Sequence, residues 1–476
     1  MLTGSVAGWR LAAALAAIFV VLLPLVTPRI YASDEIEYFS FLRSIWFDGD
    51  VSFENEYRHF YDSGTARNPG FHETFLERTS ATGLRLNFAT IGPAILWAPF
   101  YLAADLVTRA ADGSLGATDG FSAPYVAAVA YGSALYGFLA VGLSILIAAR
   151  VLSKSEGPVP VAIPAAALAV WIGTPLVFYM YVAPPMSHAA SAFAVAAFIF
   201  AWLAVRGRWS LPGVAGLSAL AALMAMVREQ DLFFAVGPLL DYAVDVRRDA
   251  RRHDWSHLFE RHLPRIGVAA VVFALVYLPQ AAAYLALNGR IGPSQVTERK
   301  MDWTAPYALP VVLSPEHGLF FWTPLAAIAL AGLVHLAFRR DRDDGDRRRM
   351  AACLLAMVAL QIYVTGSVGS WTLAGAFGQR RFVSLTPILV IGLAALLEAV
   401  RRGWWRAAAM AGVALAVWWN LGLMMQFGSG LMDRQRLDVA RIAYNNFIVV
   451  PRQLPALAYR YAFARESFYR SPASDR

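Results

Sequence analysis

The sequence predicts an all-α polytopic membrane protein with about eleven spanning helices. The chain is 58% hydrophobic and only 16% charged, with a mean hydropathy of +0.49, too apolar for a soluble globule. Its apolar residues come in blocks of about 17–25, the length that crosses a hydrocarbon core. The basic residues behind the net charge of +8 lie between these blocks. That is how topology signals are distributed, not a nucleic-acid-binding stripe, so no nucleic-acid partner is expected. Cys353 is the single cysteine; no intrachain disulfide can form, and redox compartment is not legible.

The first block, 11–27, is long for a leader core, and only Arg10 supplies positive charge ahead of it. It is read as a retained first span rather than a cleaved signal peptide. Further spans are expected at 124–149, 159–182, 186–205, 211–227, 232–246, 265–287, 319–338, 350–367, 382–400 and 404–426. The segment 89–108 carries Pro93, Pro99 and Asp105 and is read as interfacial or re-entrant. Loop charge decides that reading. The basic loops 247–265, 339–349 and 401–406, with Arg150, Lys154, Arg206 and Arg208, share a side only if 89–108 does not cross. The N-terminus is then cytoplasmic. The outer side receives the loop 28–123, the tips 183–188 and 227–231, the loops 288–318 and 366–381, and the tail. The expected organisation is one transmembrane domain, 1–426, and a short outer tail, 427–476.

The polar residues worth weighing fall on that outer side. In "SDEIEYFSFLRSIW" (33–46), Ile36, Phe39, Leu42 and Ile45 recur every third residue, one face of an amphipathic helix. Ser33 is the expected N-cap, with Asp34 and Glu35 in the first turn, where the helix dipole favours negative charge. The helix is expected to lie flat on the outer leaflet. Arg380 and Arg381 sit at the outer end of a span, against the positive-inside rule; they are read as functional or as snorkelling anchors. Lys300, beside Arg299, is a further cation in an outer loop. Arg228, Glu229 and Asp231 form a tight tip, either a structural ion-pair cluster or a pocket lining. His188 opens a span, and Glu316 with His317 precede one; capping and pocket roles stand side by side for them.

"SDEIEY" after a first span, with "GD" (49–50) following, resembles the first outer loop of the GT-C superfamily of integral membrane glycosyltransferases. The branch it resembles holds the protein O-mannosyltransferases and the lipid A aminoarabinose transferases. "NFATIGPAILWAPFYLAADL" (87–106) is similar to the proline-bearing helix that follows. "HGLFFWTPLAAIALAGL" (317–333) and "GAFGQRRFVSLTPILVIGLAALLE" (375–398) are similar to segments of bacterial glycosyltransferase-like membrane proteins. The His-Pro-Pro type signature of the branch is absent; Gly92-Pro93 stands near its place.

The resemblance implies a bacterial inner-membrane enzyme that moves a sugar from a polyprenyl-phosphate donor to a glycan, lipid or protein acceptor on the outer face. It maps Asp34 onto the catalytic carboxylate. Such chemistry needs a base for the acceptor, cations for the departing phosphate and a groove for the lipid tail. Asp34 is the candidate base and Glu35 an orienting group. Arg380, Arg381 and Lys300 are candidate phosphate ligands. Arg228, Glu229, His188, His317 and Gln379 are candidate pocket residues. A metal could use Asp34, Glu35, His188 or His317, but no close-spaced ligand pair occurs, and no cofactor is expected to be required. The rival reading is a transporter or flippase of lipid-linked glycans. Transporters place polar groups at mid-membrane and often carry internal repeats. No convincing repeat is visible here.

Overall fold

The computed structural model describes residues 6–153, 160–339, 345–372, 375–400 and 403–468. Lys154, Arg401, Arg402 and parts of the loops 339–349 and 366–381, all used above, lie outside the described residues in whole or in part. The main helices are α1 (Val6–Leu22), α2 (Ser33–Arg43), α3 (Gly92–Ala110), α4 (Ala123–Leu152), α5 (Ala162–Ile172), α6 (His188–Val205), α7 (Leu211–Val227), α8 (Val236–Ala250), α9 (Trp255–Asn288), α10 (Pro324–Phe338), α11 (Gly345–Gly366), α12 (Thr386–Ala399), α13 (Trp404–Ser429) and α14 (Val450–Phe463). Among the described residues, six segments are long and apolar enough to cross a membrane: α4, α6, α9, α11, α13 and Arg380–Ala399, which contains α12. The segment Arg10–Leu25 and the helices α5, α7 and α10 are shorter apolar helices.

α12 is the axis of the bundle. Every residue from Thr386 to Ala395 is buried, and it packs on α10, α4 and α5. Small residues permit this. A Cβ at Gly332 would lie 2.0 Å from the Gly392 carbonyl oxygen, and one at Gly392 would lie 2.1 Å from the Ala329 carbonyl oxygen. Lipid tails are as apolar as side chains, so close backbone approach is what holds such helices together.

The bundle has two polar ends, and α6 measures the distance between them. His188 at its start meets Arg228, while Arg206, just past its end, meets Asp241 and Asp346. Its 18 residues rise about 27 Å, close to a hydrocarbon core. The basic end gathers Arg206, Arg349 and the start of α9; the other end gathers the loops read above as outer.

The segment expected to span at 232–246 is not among the helices long and apolar enough to cross a membrane. Glu229–Ala235 is a 3-10 helix and α8 follows. The 3-10 turns rise about 2.0 Å per residue, so the thirteen residues from Glu229 to Asp241 reach about 23 Å. α8 is not apolar throughout: Asp241 accepts hydrogen bonds from Trp202 and Arg206 at 3.0 Å.

α3 runs beside the first half of α4. Tyr136 donates to the Leu96 carbonyl, Trp97 to Ser133 and Tyr125 to Asp105. It starts level with Val227 and leads away from the basic end.

The acidic helix α2 departs from expectation. Its apolar face is packed inside the protein rather than left free for a leaflet. Ile36, Phe39 and Phe41 are fully buried, in a second core with Phe53, Tyr57, Trp97, Tyr101 and Tyr125. The period breaks at Ser44–Asp48, which is π-helical, so Ile45 and Trp46 turn outward. The N-cap is Ala32, not Ser33. Glu35 performs the capping by accepting from the N–H groups of Tyr31 at 2.6 Å and Ala32 at 3.0 Å.

Candidate functional site

At the end of the bundle away from the basic loops, four chain segments converge: the start of α2, the start of α6, the turn after α7 and the turn before α12. Asp34, in the first turn of α2, lies 2.7 Å from Arg380. Its side chain keeps 44% exposure, so it faces open space. Arg380 opens the 3-10 turn Arg380–Leu385 that leads into α12, and its guanidinium also reaches Met186 Sδ at 3.7 Å.

Arg228 follows α7 in extended backbone. Its position is fixed from behind. A Cβ at Gly92 would meet the Met226 carbonyl carbon at 2.3 Å, Thr90 donates to the Val227 carbonyl at 2.9 Å, and the Ile91 N–H donates to Gln280 at 2.9 Å. This is what Gly92 does in the structure: only a residue without a side chain lets α3 begin against that strand of backbone. Arg228 Nη1 donates to His188 Nδ1 at 2.7 Å. An arginine can only donate, so Nδ1 carries no proton and the ring hydrogen sits on Nε2.

Arg381 completes a group of three cations. Its carbonyl accepts from Gln230 at 2.9 Å, but its guanidinium has no carboxylate partner among the described residues, and its Nε is buried without any hydrogen bond. Arg228 and Arg380 are its cationic neighbours, and Asp34 is the one carboxylate that offsets it directly. Asp34 is the exposed carboxylate among these three guanidinium groups, with the buried carboxyls of Glu37 near Arg380 and Asp231 near Arg228; the Arg381 fork is left to favour a further anion.

Two residues that the sequence reading did not single out stand here. Glu37 is buried, accepts from the Phe88 N–H at 2.6 Å, and feels Asp34, Lys300 and Arg380. Burial pushes its carboxyl up to about 8, with Asp34 adding to the rise and Phe88, Lys300 and Arg380 opposing it. Tyr38 receives a hydrogen bond from Ser187 at 3.0 Å. The signal was present: Asp34, Glu37 and Tyr38 are i, i+3 and i+4, one face of a helix, whereas Glu35 is a quarter-turn away.

Glu35 is accordingly 2% exposed with its carboxylate on the Tyr31 and Ala32 backbone, not in the mouth. Burial pushes it up to about 7, against those two N–H groups. Lys300 is exposed, with Nζ 5.9 Å from the Phe88 ring centre. Its loop is pinned by Gly369 N–H to the Lys300 carbonyl at 2.7 Å and Asp302 N–H to the Ser367 carbonyl at 2.7 Å. Glu229 turns away from the cluster and accepts from the Tyr284 hydroxyl. Asp231 is fully buried and accepts from Ser191 at 2.5 Å.

His317 and Gln379 hold backbone rather than facing the mouth. His317 is buried, in left-handed conformation at φ 58, its ring nitrogens 3.3 Å from the Gly378 carbonyl and 2.9 Å from the Arg434 carbonyl. Burial pushes the imidazole below its usual range. Gln379 donates to the Trp371 carbonyl at 3.0 Å. Both fix the loop that delivers Arg380 and Arg381. Among the described residues, no group of three or more His, Cys, Asp or Glu side chains is arranged to hold a metal ion.

The architecture and this mouth define an all-helical polytopic membrane protein with an anion-favouring site at one end. No protein-family model matches the chain, and no curated protein matches it. Among solved structures, it is similar to the crystal structure of ArnT from Cupriavidus metallidurans bound to undecaprenyl phosphate. The likeness covers 97% of this chain and 79% of that one, at 13% identity and a TM-score of 0.49. The chemistry that follows is argued from this chain's own residues.

Proposed function

We propose that the protein is a membrane glycosyltransferase that takes a sugar from a polyprenyl-phosphate donor and delivers it to an acceptor on the outer face of a bacterial inner membrane. The observation that carries the reading is the set Arg228, Arg380 and Arg381 around Asp34, with the Arg381 guanidinium lacking a carboxylate. A lipid-borne phosphate would reach this set from the bilayer side and place its anion on forks that suit phosphate oxygens. The departing phosphate gains charge as the bond to the sugar breaks, and fixed cations stabilise that change without reorganising.

Asp34 supports the reading through its ion pair. It is held by Arg380 at 2.7 Å. A phosphate on Arg380 would compete for the same guanidinium and loosen Asp34 toward the open mouth, where it acts as base on the acceptor hydroxyl or amine. The free carboxylate would then be produced where donor is present. Glu37 stands beside it as a second carboxyl, held mostly protonated near neutral pH by its burial.

The test is binding of polyprenyl phosphate to purified protein. Arg381→Ala should weaken it by about tenfold or more, since a charge-assisted contact contributes roughly 1.5–3 kcal/mol. Arg381→Lys, which keeps the charge and loses the fork, should fall between. Lipid extracts and envelope glycans from a deletion strain should show one polyprenyl-phosphate sugar accumulating and the matching glycan lacking that sugar. Unaltered binding in Arg380→Ala and Arg381→Ala would reduce both residues to anchors and remove the proposal's footing.

A further inference from the structure

The opposite end of the bundle holds a cavity of about 290 Å³ between the loop after α6, the end of α8 and the start of α9. Seven arginines and three aspartates line it. A positive-inside signal asks only that cations stay in the cytoplasm, and such side chains ordinarily extend into water. These converge on one space.

The pairing within the cavity leaves cations over. Arg206 is shared between Asp241 at 3.0 Å and Asp346 at 2.7 Å. Arg349 takes Asp241 at 2.5 Å and Asp245 at 2.9 Å, and Arg261 takes Asp249 at 3.2 Å. Every carboxylate is thereby engaged. Arg208 and Arg252 have no carboxylate partner among the described residues, and Arg265 gives its hydrogen bonds to the carbonyls of Trp209 and Arg261. Charge is therefore uncompensated at a concave site.

The walls are built rather than incidental. Trp209 adopts φ 46, unusual for a bulky residue. Its indole donates to Asp245 at 2.8 Å, and its ring packs on Tyr242 at 4.9 Å between centres. The Tyr242 hydroxyl and His262 Nδ1 lie 2.6 Å apart. The cavity also borders exposed aromatic and apolar residues. α9 is the least buried of the apolar spans, and Trp255 and Phe259, each nearly two turns before Arg261 and Arg265 respectively, are 77% and 62% exposed, as interfacial aromatics are.

We infer that this cavity binds a phosphate-bearing anion, the headgroup of an acidic phospholipid or a free phosphate, on Arg208, Arg252 and Arg265 at the basic end of the bundle. Basic pockets between helices on the cytoplasmic side suit that chemistry, and guanidinium forks match phosphate oxygens. The inference is independent of glycosyl transfer: it concerns the other end of the molecule, about 27 Å away along α6.

The test uses full-length protein in neutral detergent. Mixed micelles containing phosphatidylglycerol or phosphatidylcholine are one arm, with lipid retention read by native mass spectrometry. Inorganic phosphate is the other, with the thermal unfolding midpoint as readout. The double variant Arg208→Gln/Arg252→Gln removes exposed, carboxylate-free cations, so it orphans no buried charge. Arg251→Gln, exposed and outside the cavity, is the control. Phosphatidylglycerol retention should exceed that of phosphatidylcholine and fall by about tenfold or more in the double variant, with the control unchanged. Variant-sensitive retention with no response to inorganic phosphate identifies a headgroup. A phosphate-dependent rise in the midpoint that the double variant loses identifies a free anion. If the double variant retains phosphatidylglycerol like wild type and phosphate moves neither midpoint, the inference is overturned. In Arg381→Ala, which weakens the anion site at the other end, the part of each response that Arg208→Gln/Arg252→Gln removes should persist, which separates failure here from failure of the glycosyltransferase reading.

Discussion

At the scale of single residues, the division of labour within "SDEIEY" is set by which way each carboxylate points. Asp34 faces the mouth and Arg380; Glu35 faces the backbone of its own helix start; Glu37 is buried on the Phe88 N–H, within the field of Asp34 and Arg380. Asp34→Asn keeps the shape and cannot accept a proton. Turnover should fall about a hundredfold or more, as positioned proton transfer contributes roughly 10²–10⁴. Donor binding should hold or tighten, because the competitor for Arg380 loses its charge; weakened donor binding with normal turnover would contradict the proposed exchange. Glu37 supplies a pH prediction. Burial raises its folded pKa to about 8, above the ordinary glutamate value of 4.5, so between these values the unfolded chain has released the proton that the folded chain retains. Stability therefore falls as pH rises through that window and levels off above about pH 8. Glu37→Gln cannot ionise and should lose much of that fall. Melting curves from pH 5 to 8 in both proteins decide it: parallel curves would mean that Glu37 does not titrate as described.

At the scale of elements, periodicity located the helices more reliably than it located their faces. The three-residue recurrence in 33–46 did mark a helix, and Ile36, Phe39 and Leu42 are its buried residues. Surface amphipathicity was the wrong inference, because an outer-loop core from Phe53 to Tyr125 closes over the helix, and no local pattern announces a partner so distant in sequence. Residues i, i+3 and i+4 from Asp34 were legible in the same stretch and would have found Glu37 and Tyr38. The contact of α10 with α12 belongs to this scale. Gly392→Val would press a branched side chain against the Ala329 carbonyl, 2.1 Å from the position of its Cβ. Overpacking costs about 1–3 kcal/mol even where side chains can yield, and here backbone must yield. The expected outcome is a lowered unfolding midpoint, while Gly412→Val, on α13 with open space around it, should change little.

At the scale of the whole molecule, two polar ends separated by apolar helices make sidedness testable. The loop after α9 and the turn after α13 belong to the end that carries Asp34, which the positive-inside rule reads as outer. In a Cys353→Ser background, cysteines at Asn288 and Ser429 should react with an impermeant reagent in intact cells; reaction only after lysis would place the Asp34 mouth in the cytoplasm and end the outer-face proposal. Hydropathy and loop charge determined the class, the helix positions and the expected sidedness, because each helix satisfies its own backbone in the bilayer and so must be written as a continuous apolar run. The stretch from Glu229 to Asp241 was harder to read, since part of it is 3-10 and part carries charge. What only the tertiary structure decided is the site: that Arg228, Arg380 and Arg381 meet around Asp34, that Glu35, His317 and Gln379 serve the backbone, and that arginines from three separated loops share one cavity at the other end. Those outcomes depend on residues up to several hundred positions apart being brought together by helix packing, and no local pattern encodes which way a charged side chain turns once a neighbouring helix is in place.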